Sequence, residues 1–469
     1  MRVPTVMAVL LSGAMWFGST GIYHVWLLAW LAPLPLLLVL PGLRPGPAAL
    51  AAWAAAALGA SNFAVAYQRA LAPAALVALV VVTPLPTVAV ALAWRAVARR
   101  AGAAATALAY PALVVGAEYV VSLVSPNGTF GSVAYSQADV LAVVQLASLT
   151  GLWGISFVVS LVPAALAAAW RGREVRASRD AGLVLAALPL AAVLLFGAAR
   201  LVAAPSSATV RVGLAASDTA NRAFTRRQDE ALAAVRGYAL RVGALAARDV
   251  QAVVLPEKFV AVEPEYAAGA EGVLSSAARR WQVTVVAGFS VTDSAGRHNQ
   301  AVVFGPDGRV VLRYDKVHLV PGLEASFAPG SAIGVVRGAS VPTGVAICKD
   351  MDFTATGRAY AGAGIGLLLV PAWDFGADAW LHSRMAILRS VEGGYALARV
   401  ASDGLLTVSD PRGRIVAERA SASGAEVLVA AAVRVGGGGT FYSRAGDWFA
   451  WLCLATALAI VAGARRRHE

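Results

Sequence analysis

Residues 344–353 read GVAICKDMDF, and this stretch decides the fold class of the second half of the chain. An apolar, strand-like run ends at Cys348, and charged residues follow at once. Outward from it, between 207 and 435, short β-branched runs alternate with helical stretches rich in Ala, Arg and Glu. PDG at 306–308 and PRG at 411–413 are typical of hairpin turns. This alternation predicts an α/β or α+β domain with mixed sheets, large enough to bury its own core.

Two other stretches have the same form as the one that ends at Cys348. VVLPEKF (253–259) places Glu257 at the end of a strand-like run, and VVLRYDKVHLVP (310–321) does the same with Lys316. In α/β folds, functional sites lie where strand ends open into loops. The sequence therefore predicts that Glu257, Lys316 and Cys348, here called the trio, share one site.

The residue types of the trio suit nucleophilic catalysis. A Cys thiol becomes a strong nucleophile when a neighbouring base or positive charge favours its thiolate. Glu257 is placed to accept the thiol proton and to deliver it to a leaving group. Lys316 would stabilise the oxyanion of a tetrahedral intermediate, and the backbone N–H of Lys349 is a candidate second donor.

Lysine usage supports this interpretation. Among 39 basic residues only three are Lys, namely Lys258, Lys316 and Lys349, and each is a member of the trio or its neighbour in sequence. Arg stays protonated, whereas Lys is a compact point charge with a shiftable pKa. The retention of lysine at these positions therefore fits a chemical requirement.

The first 206 residues have a different composition from the α/β domain. The whole chain is 58% hydrophobic and 14% charged, with mean hydropathy +0.67, which excludes an ordinary soluble enzyme and a disordered chain. About 20 apolar residues cross a bilayer as a helix. The predicted spans are 3–20, 22–42, 46–67, 71–94, 103–124, 149–170, 181–203 and 447–464. The chain thus divides into an N-terminal membrane domain (1–206), a catalytic domain (207–435) and a C-terminal transmembrane helix (447–464).

Arginines orient the predicted spans. They cluster in alternate connections, at Arg2, Arg44, Arg95–Arg100, Arg171–Arg179 and Arg465–Arg467. Under the positive-inside rule both termini are cytoplasmic, and seven spans then place the catalytic domain outside. The net charge of +12 therefore marks topology, and no nucleic-acid partner is expected.

The ordered set LPEKF, RYDKVHLVP and ICKDMDF resembles the carbon–nitrogen hydrolase (nitrilase) superfamily. The resemblance implies an αββα sandwich and a triad of Glu257, Lys316 and Cys348 that forms a thioester. It also implies an accessory glutamate at Glu324, within HLVPGLE, and a family-like position for Trp373 after the nucleophile.

The same domain, preceded by seven spans and followed by one, resembles the bacterial apolipoprotein N-acyltransferase family, with AYSQ at 134–137 as a further match. The resemblance implies a multi-pass protein of the bacterial cytoplasmic (inner) membrane. It further implies a phospholipid as acyl donor, the N-terminal amine of a lipoprotein as acceptor, and no cofactor. The five His residues show no metal-ligand spacing, so no metal is expected.

A second function stays open at this point. KDMDF is closer to soluble amidases, and only 23 residues separate Glu324 from Cys348, so the apolar lid usual in the transferases is mostly absent. Both features favour a membrane-anchored amidase that hydrolyses a C–N bond of a small substrate, although seven spans are more than an anchor needs. A non-catalytic scaffold is a third alternative. Glu118, within the fifth span, is a further candidate site residue because a charge inside a membrane is costly.

Overall fold

The computed structural model describes residues 3–203, 208–221, 223–225, 227–337, 341–421, 426–437 and 439–466. Arg2 and Arg467, which contribute to the predicted topology, lie outside these ranges. The α-helices are α1 (Val3–Ser19), α2 (Trp26–Ala29), α3 (Leu34–Val39), α4 (Pro45–Tyr67), α5 (Pro73–Val82), α6 (Leu85–Ala98), α7 (Ala103–Val124), α8 (Leu141–Val144), α9 (Ala147–Thr150), α10 (Leu152–Arg171), α11 (Arg176–Val202), α12 (Gln228–Ala246), α13 (Ala267–Trp281), α14 (Thr354–Gly362), α15 (Ala379–Gly393), α16 (Phe441–Ala445) and α17 (Trp448–Arg466).

The chain forms two compact units. The first comprises Met1–Ser125, Thr129–Ala203 and Ala445–Glu469, and the second comprises Pro126–Gly128 and Ala204–Arg444. The first unit is helical. Five of its segments are long and apolar enough to cross a membrane, namely α4, Pro73–Ala98, α7, α10 and α11. Shorter apolar helices occupy the remaining predicted spans, at Val3–Ser19, Trp26–Gly42 and Trp448–Gly463.

Proline interrupts the predicted spans at 22–42 and 71–94, the second at Pro84 between α5 and α6. The span predicted at 22–42 is split into α2, α3 and the 3₁₀ turn Leu40–Gly42. Proline lacks a backbone N–H and clashes with the preceding turn, so it begins helices or breaks them, and Pro33, Pro35 and Pro41 fall in this span. The sequence prediction missed these breaks, because a uniformly apolar segment indicates a membrane span but does not indicate where a helix ends within it.

Glu118 anchors a loop of the first unit. Its carboxylate accepts hydrogen bonds from Ser132 Oγ (2.9 Å), Ser156 Oγ (2.6 Å) and the N–H of Val133 (2.9 Å). Both oxygens therefore have donors, as a polar group within an apolar helix requires. In the structure this carboxylate joins α7 to α10 and to the 3₁₀ turn that starts at Val133.

The second unit contains two β-sheets. Its strands are β1 (Thr209–Ser217), β2 (Ala252–Val254), β3 (Val260–Val262), β4 (Thr284–Asp293), β5 (Gly296–Phe304), β6 (Val310–Asp315), β7 (Gly334–Val336), β8 (Thr343–Val345), β9 (Leu367–Trp373), β10 (Ala396–Ser402), β11 (Leu405–Ser409), β12 (Ile415–Ala420) and β13 (Glu426–Arg434). The first sheet has the order β13-β1-β2-β4-β5-β6, with β3 paired to β4, and the second has the order β12-β11-β10-β9-β8-β7. Both sheets are mixed, and the PDG and PRG turns connect antiparallel pairs as predicted.

Strand periodicity sorts side chains into layers. In β1, Val212 and Leu214 point between the sheets, whereas Ala215 packs on the α12 side. In β9, Leu369 faces the other sheet and Leu368 faces α14 and α15. This period-two alternation is what a sheet buried on both faces requires. The result is the αββα sandwich implied by the superfamily resemblance, and the predicted fold class is confirmed.

Candidate active site

Glu257 lies three residues after the end of β2, and its two carboxylate oxygens have different surroundings. Its backbone N–H donates to Ala372 O at 3.3 Å, next to the end of β9. Oε1 accepts hydrogen bonds from Asn299 Nδ2 (2.5 Å) and Lys316 Nζ (2.9 Å). Oε2 is buried and accepts no hydrogen bond from the described residues. One oxygen therefore orients the carboxylate, and the other has a lone pair available for chemistry.

Lys316 follows β6 directly and is almost completely buried. Its Nζ lies 2.9 Å from both Glu257 Oε1 and Glu324 Oε2. Burial acts to lower the pKa of this ammonium, but the neighbouring Glu257 and Glu324 carboxylates outweigh it and raise the pKa above its usual range. Lys316 is therefore a permanent positive charge at the centre of the site.

Glu324 completes a compact cluster of charges. Its Oε1 accepts hydrogen bonds from Asn299 Nδ2 (2.7 Å) and from Lys258 Nζ, and Oε2 also accepts the N–H of Val320 (2.8 Å). Burial acts to raise the pKa of Glu324, yet the Lys316 and Lys258 ammonium groups lower it to about 2. This carboxylate stays ionised and holds Lys316 in place.

Cys348 opens the 3₁₀ turn Cys348–Asp352, immediately after the strand-like run. Its backbone has φ of 42°, in the left-handed region that side chains rarely adopt. The thiol lies 3.5 Å from Trp373 O, next to the carbonyl that binds the Glu257 N–H. Burial, followed by the charge of Glu257, raises the pKa of the thiol, and Lys316 opposes them in part. The thiol is therefore neutral at rest and needs a base.

Lys349 and Trp373 make contacts of other kinds. The Lys349 ammonium is bound to Asn127 Oδ1 at 2.7 Å and lies 3.5 Å from Asp352 Oδ2. A role in the site therefore falls to the Lys349 backbone N–H and not to its side chain. The Trp373 ring lies 6.0 Å from Lys258 Nζ, and its Nε1 donates to Asp403 Oδ2 at 3.1 Å. The structure thus brings Glu257, Lys316, Glu324 and Cys348 to one place, with Trp373 alongside.

Three residues contribute more to the site than the sequence indicated. Asn299 bridges the two glutamates, and Lys258 supplies a second ammonium. Asp350 accepts the N–H groups of Ile347 (3.0 Å) and His318 (2.8 Å). Lys258 could have been found from the sequence, because lysine is rare in this chain. Asn299 and Asp350 could not, because they act through hydrogen bonds that form only in the folded chain. Among the described residues, no three His, Cys, Asp or Glu side chains cluster so as to hold a metal ion.

Comparisons with known proteins match both halves of the chain. Residues 211–436 match the Carbon-nitrogen hydrolase family, and residues 12–165 match the Apolipoprotein N-acyltransferase N-terminal domain. The chain is 29% identical over 401 residues to apolipoprotein N-acyltransferase from Geobacter metallireducens, covering 77% of this chain and 75% of that protein. It is 31% identical over 366 residues to apolipoprotein N-acyltransferase from Gloeobacter violaceus, covering 71% of this chain and 67% of that protein. The chain belongs to the apolipoprotein N-acyltransferase family.

As a member of this family, the chain is a membrane acyltransferase with a carbon–nitrogen hydrolase domain. Amidases are also similar to it. Omega-amidase NIT2-B from Xenopus laevis is 32% identical over 145 residues, 27% of this chain and 52% of that protein. The crystal structure of an amidase from Nesterenkonia sp. is 23% identical and covers 49% of this chain and 92% of its own, with a TM-score of 0.40. The amidase alternative thus rests on superfamily likeness, whereas the acyltransferase relatives extend over both halves of the chain.

Proposed function

We propose that this acyltransferase moves a fatty acyl chain from a phospholipid, through a thioester on Cys348, to the N-terminal amine of a lipoprotein. In the first step Cys348 Sγ attacks the ester carbonyl while Glu257 accepts the thiol proton. Lys316 Nζ and the Lys349 N–H stabilise the oxyanion. The C–O bond then breaks, Glu257 returns the proton to the departing alkoxide, and a lysophospholipid leaves.

The second step releases the acyl chain to nitrogen. The amine attacks the thioester carbonyl, Glu257 accepts a proton from the attacking nitrogen, and the C–S bond breaks. The proton returns to the Cys348 thiolate, so the enzyme regains its starting state. Glu324 serves throughout to hold Lys316, and Trp373 borders the space in which the substrate binds.

Oε2 of Glu257, which accepts no hydrogen bond from the part of the chain that the structure describes, carries this proposal. A buried carboxylate oxygen without a donor costs free energy, so its retention calls for a functional reason. The high pKa of the Cys348 thiol supplies that reason, because a neutral thiol needs a base at the moment of attack. Asn299 and Lys316 occupy Oε1 and leave only Oε2 for this task.

Intact mass spectrometry of the full-length protein after mixing with phospholipid tests the first step. The expected result is a gain of one acyl group that Cys348→Ala abolishes. Cys453→Ala is the matched control, because Cys453 lies in α17 and is the only other cysteine in the sequence. A gain that persists without Cys348 would contradict the mechanism. A diacylglyceryl peptide amine added next should remove the acyl group from the enzyme, whereas removal by water alone would favour an amidase.

The membrane arrangement is a further part of the proposal. Residues 1–206 and 447–464 would anchor the protein in the bacterial cytoplasmic membrane with both termini in the cytoplasm. The domain at 207–435 would then face outward, on the side where lipoprotein amines are exposed. The alternation of arginine-bearing connections supports this orientation.

A further inference from the structure

Arg297 lies on the same face of β5 as Asn299. Side chains two residues apart on a strand point to the same side of the sheet. Arg297 therefore faces the side on which Asn299 bridges Glu257 and Glu324. Two residues of extended strand correspond to about 7 Å, so the backbone of Arg297 lies one short step along β5 from the residue that binds Glu257.

The guanidinium of Arg297 is held in a fixed orientation. Its Nε donates to Ser290 Oγ at 3.0 Å, and Ser290 is itself buried. The guanidinium carbon lies 4.5 Å from the centre of the Phe327 ring. Among the described residues, neither of its two Nη groups makes a hydrogen bond or an ion pair. Arg297 is thus pre-oriented with its terminal donors available for a ligand.

Arg297 lines a cavity of about 520 Å³. Ligand sites for small molecules have volumes of about 300–1,000 Å³. The lining residues are Ala223, Phe224, Thr225, Ala261, Glu263, Thr292 and Arg297. The ring of Phe224 lies 5.8 Å from that of Trp373, whose carbonyl contacts the Cys348 thiol. One wall of the cavity, at Phe224, therefore lies against Trp373, a neighbour of the Cys348 thiol, and among the described lining residues Arg297 is the one cation.

We propose that Arg297 binds the phosphate of the phospholipid acyl donor, an inference that rests on the proposed function. Only part of the glycerol backbone separates the reacting ester from the phosphate in a phospholipid, so a cation two residues along β5 from Asn299, which binds Glu257, matches the donor's geometry. A guanidinium also presents two parallel N–H groups to phosphate oxygens. Glu263 in the same wall favours a headgroup that carries an ammonium besides the phosphate.

Lipid binding to the full-length Cys348→Ala protein tests this assignment without requiring turnover. The probes are lysophosphatidylethanolamine and a monoacylglycerol with the same acyl chain, and native mass spectrometry reads the bound fraction. We expect the phosphate-bearing lipid to bind at least tenfold more tightly, and Arg297→Gln to remove most of that preference. Arg297→Lys should retain part of it, because lysine keeps the charge without the paired donors. Arg309→Gln is the control, since Arg309 is an exposed arginine at the far end of the same hairpin.

The outcomes separate this inference from the proposed function. Equal binding of both lipids by the Cys348→Ala protein would overturn the assignment. So would an equal loss of affinity for both lipids when Arg297→Gln is added. If the unmodified protein forms no thioester with any phospholipid but the preference still depends on Arg297, the transfer mechanism fails and the phosphate site stands. Loss of the preference in Arg309→Gln as well would reduce the effect to general surface charge and would also overturn the assignment.

Discussion

Lys258 and Cys348 both adopt left-handed backbone conformations, with φ of 45° and 42°. For side chains other than Gly this conformation costs about 1–2 kcal/mol, and such strain concentrates at functional sites. At Lys258 the conformation carries the ammonium back to Glu324, and within 3.6 Å of Glu257 Oε1. The site therefore pairs two carboxylates with two ammonium groups. A cluster balanced in this way can accept the negative charge of an oxyanion without repulsion from an excess carboxylate.

We predict that Lys258→Met slows thioester formation by about tenfold or more, because a hydrogen bond between charged groups contributes about 1.5–3 kcal/mol. Removal of one ammonium should also raise the pKa of Glu324 from about 2 toward its usual range. The acid limb of the pH–rate profile would then move to higher pH. Lys258→Arg should preserve the profile. A Lys258→Met enzyme that is slower but has an unchanged acid limb would mean that Lys258 only shapes the loop.

At the scale of elements, Asp350 joins the end of β6 to the turn of the nucleophile. Its Oδ1 accepts the N–H groups of Val317 (3.2 Å) and His318 (2.8 Å). Its Oδ2 accepts the Tyr314 hydroxyl (2.7 Å) and the Ile347 N–H (3.0 Å). One buried carboxylate thus fixes the loops that carry Lys316 and Cys348 relative to each other.

We predict that Asp350→Asn lowers the rate of thioester formation by at least tenfold. The substitution replaces one carboxylate oxygen by an NH2 group, which then faces the N–H and O–H donors that the oxygen accepted. Buried donors left without an acceptor cost about 1–3 kcal/mol each. The rate should fall more than the affinity for phospholipid, since the change moves the nucleophile and not the lipid cavity. Asp249→Asn, at an exposed position between α12 and β2, is the control. An equal loss of affinity and rate would count against a positioning role.

The sequence predicted the elements with strong local signals and missed those defined by pairing. The run that begins at Val310 became β6, and the PDG and PRG turns join antiparallel strands, because these signals are local. The strand β10, ALARVAS, has no such signal, because its small and charged residues do not alternate. It is a strand because it pairs with β9 and β11 on its two sides. The trio was visible because each member ends an apolar run. Asn299 and Asp350 were not assigned roles, because their partners are distant in sequence.

For the whole molecule, the charge cluster links stability to pH. The pKa of Glu324 is about 2 in the folded protein against an ordinary value of 4.5. A lowered pKa stabilises the fold above the ordinary value, and this stabilisation is lost as pH falls through the folded value. We therefore predict that the difference in Tm between the unmodified protein and Glu324→Gln is full above about pH 4.5 and shrinks toward pH 2. Glu265→Gln, at an exposed position, should show a constant difference. A Glu324→Gln difference that does not change over this range would mean that the carboxylate titrates normally in the fold.

The chain as a whole also has an orientation that its arginines predict. A green fluorescent protein fused to the C-terminus should fluoresce, because it folds in the cytoplasm, and alkaline phosphatase fused after residue 206 should be active, because it needs the oxidising outer side. Conversion of Arg95, Arg99 and Arg100 to Gln should weaken the preference for this membrane orientation, since the positive charges that set orientation lie in short connections. Arg309→Gln, within the catalytic domain, should leave both reporters unchanged, because charges in long translocated domains contribute little. An active phosphatase fused at the C-terminus would mean that the true topology is the reverse of the predicted one. The site would then lie on the opposite side of the membrane from the amine acceptor.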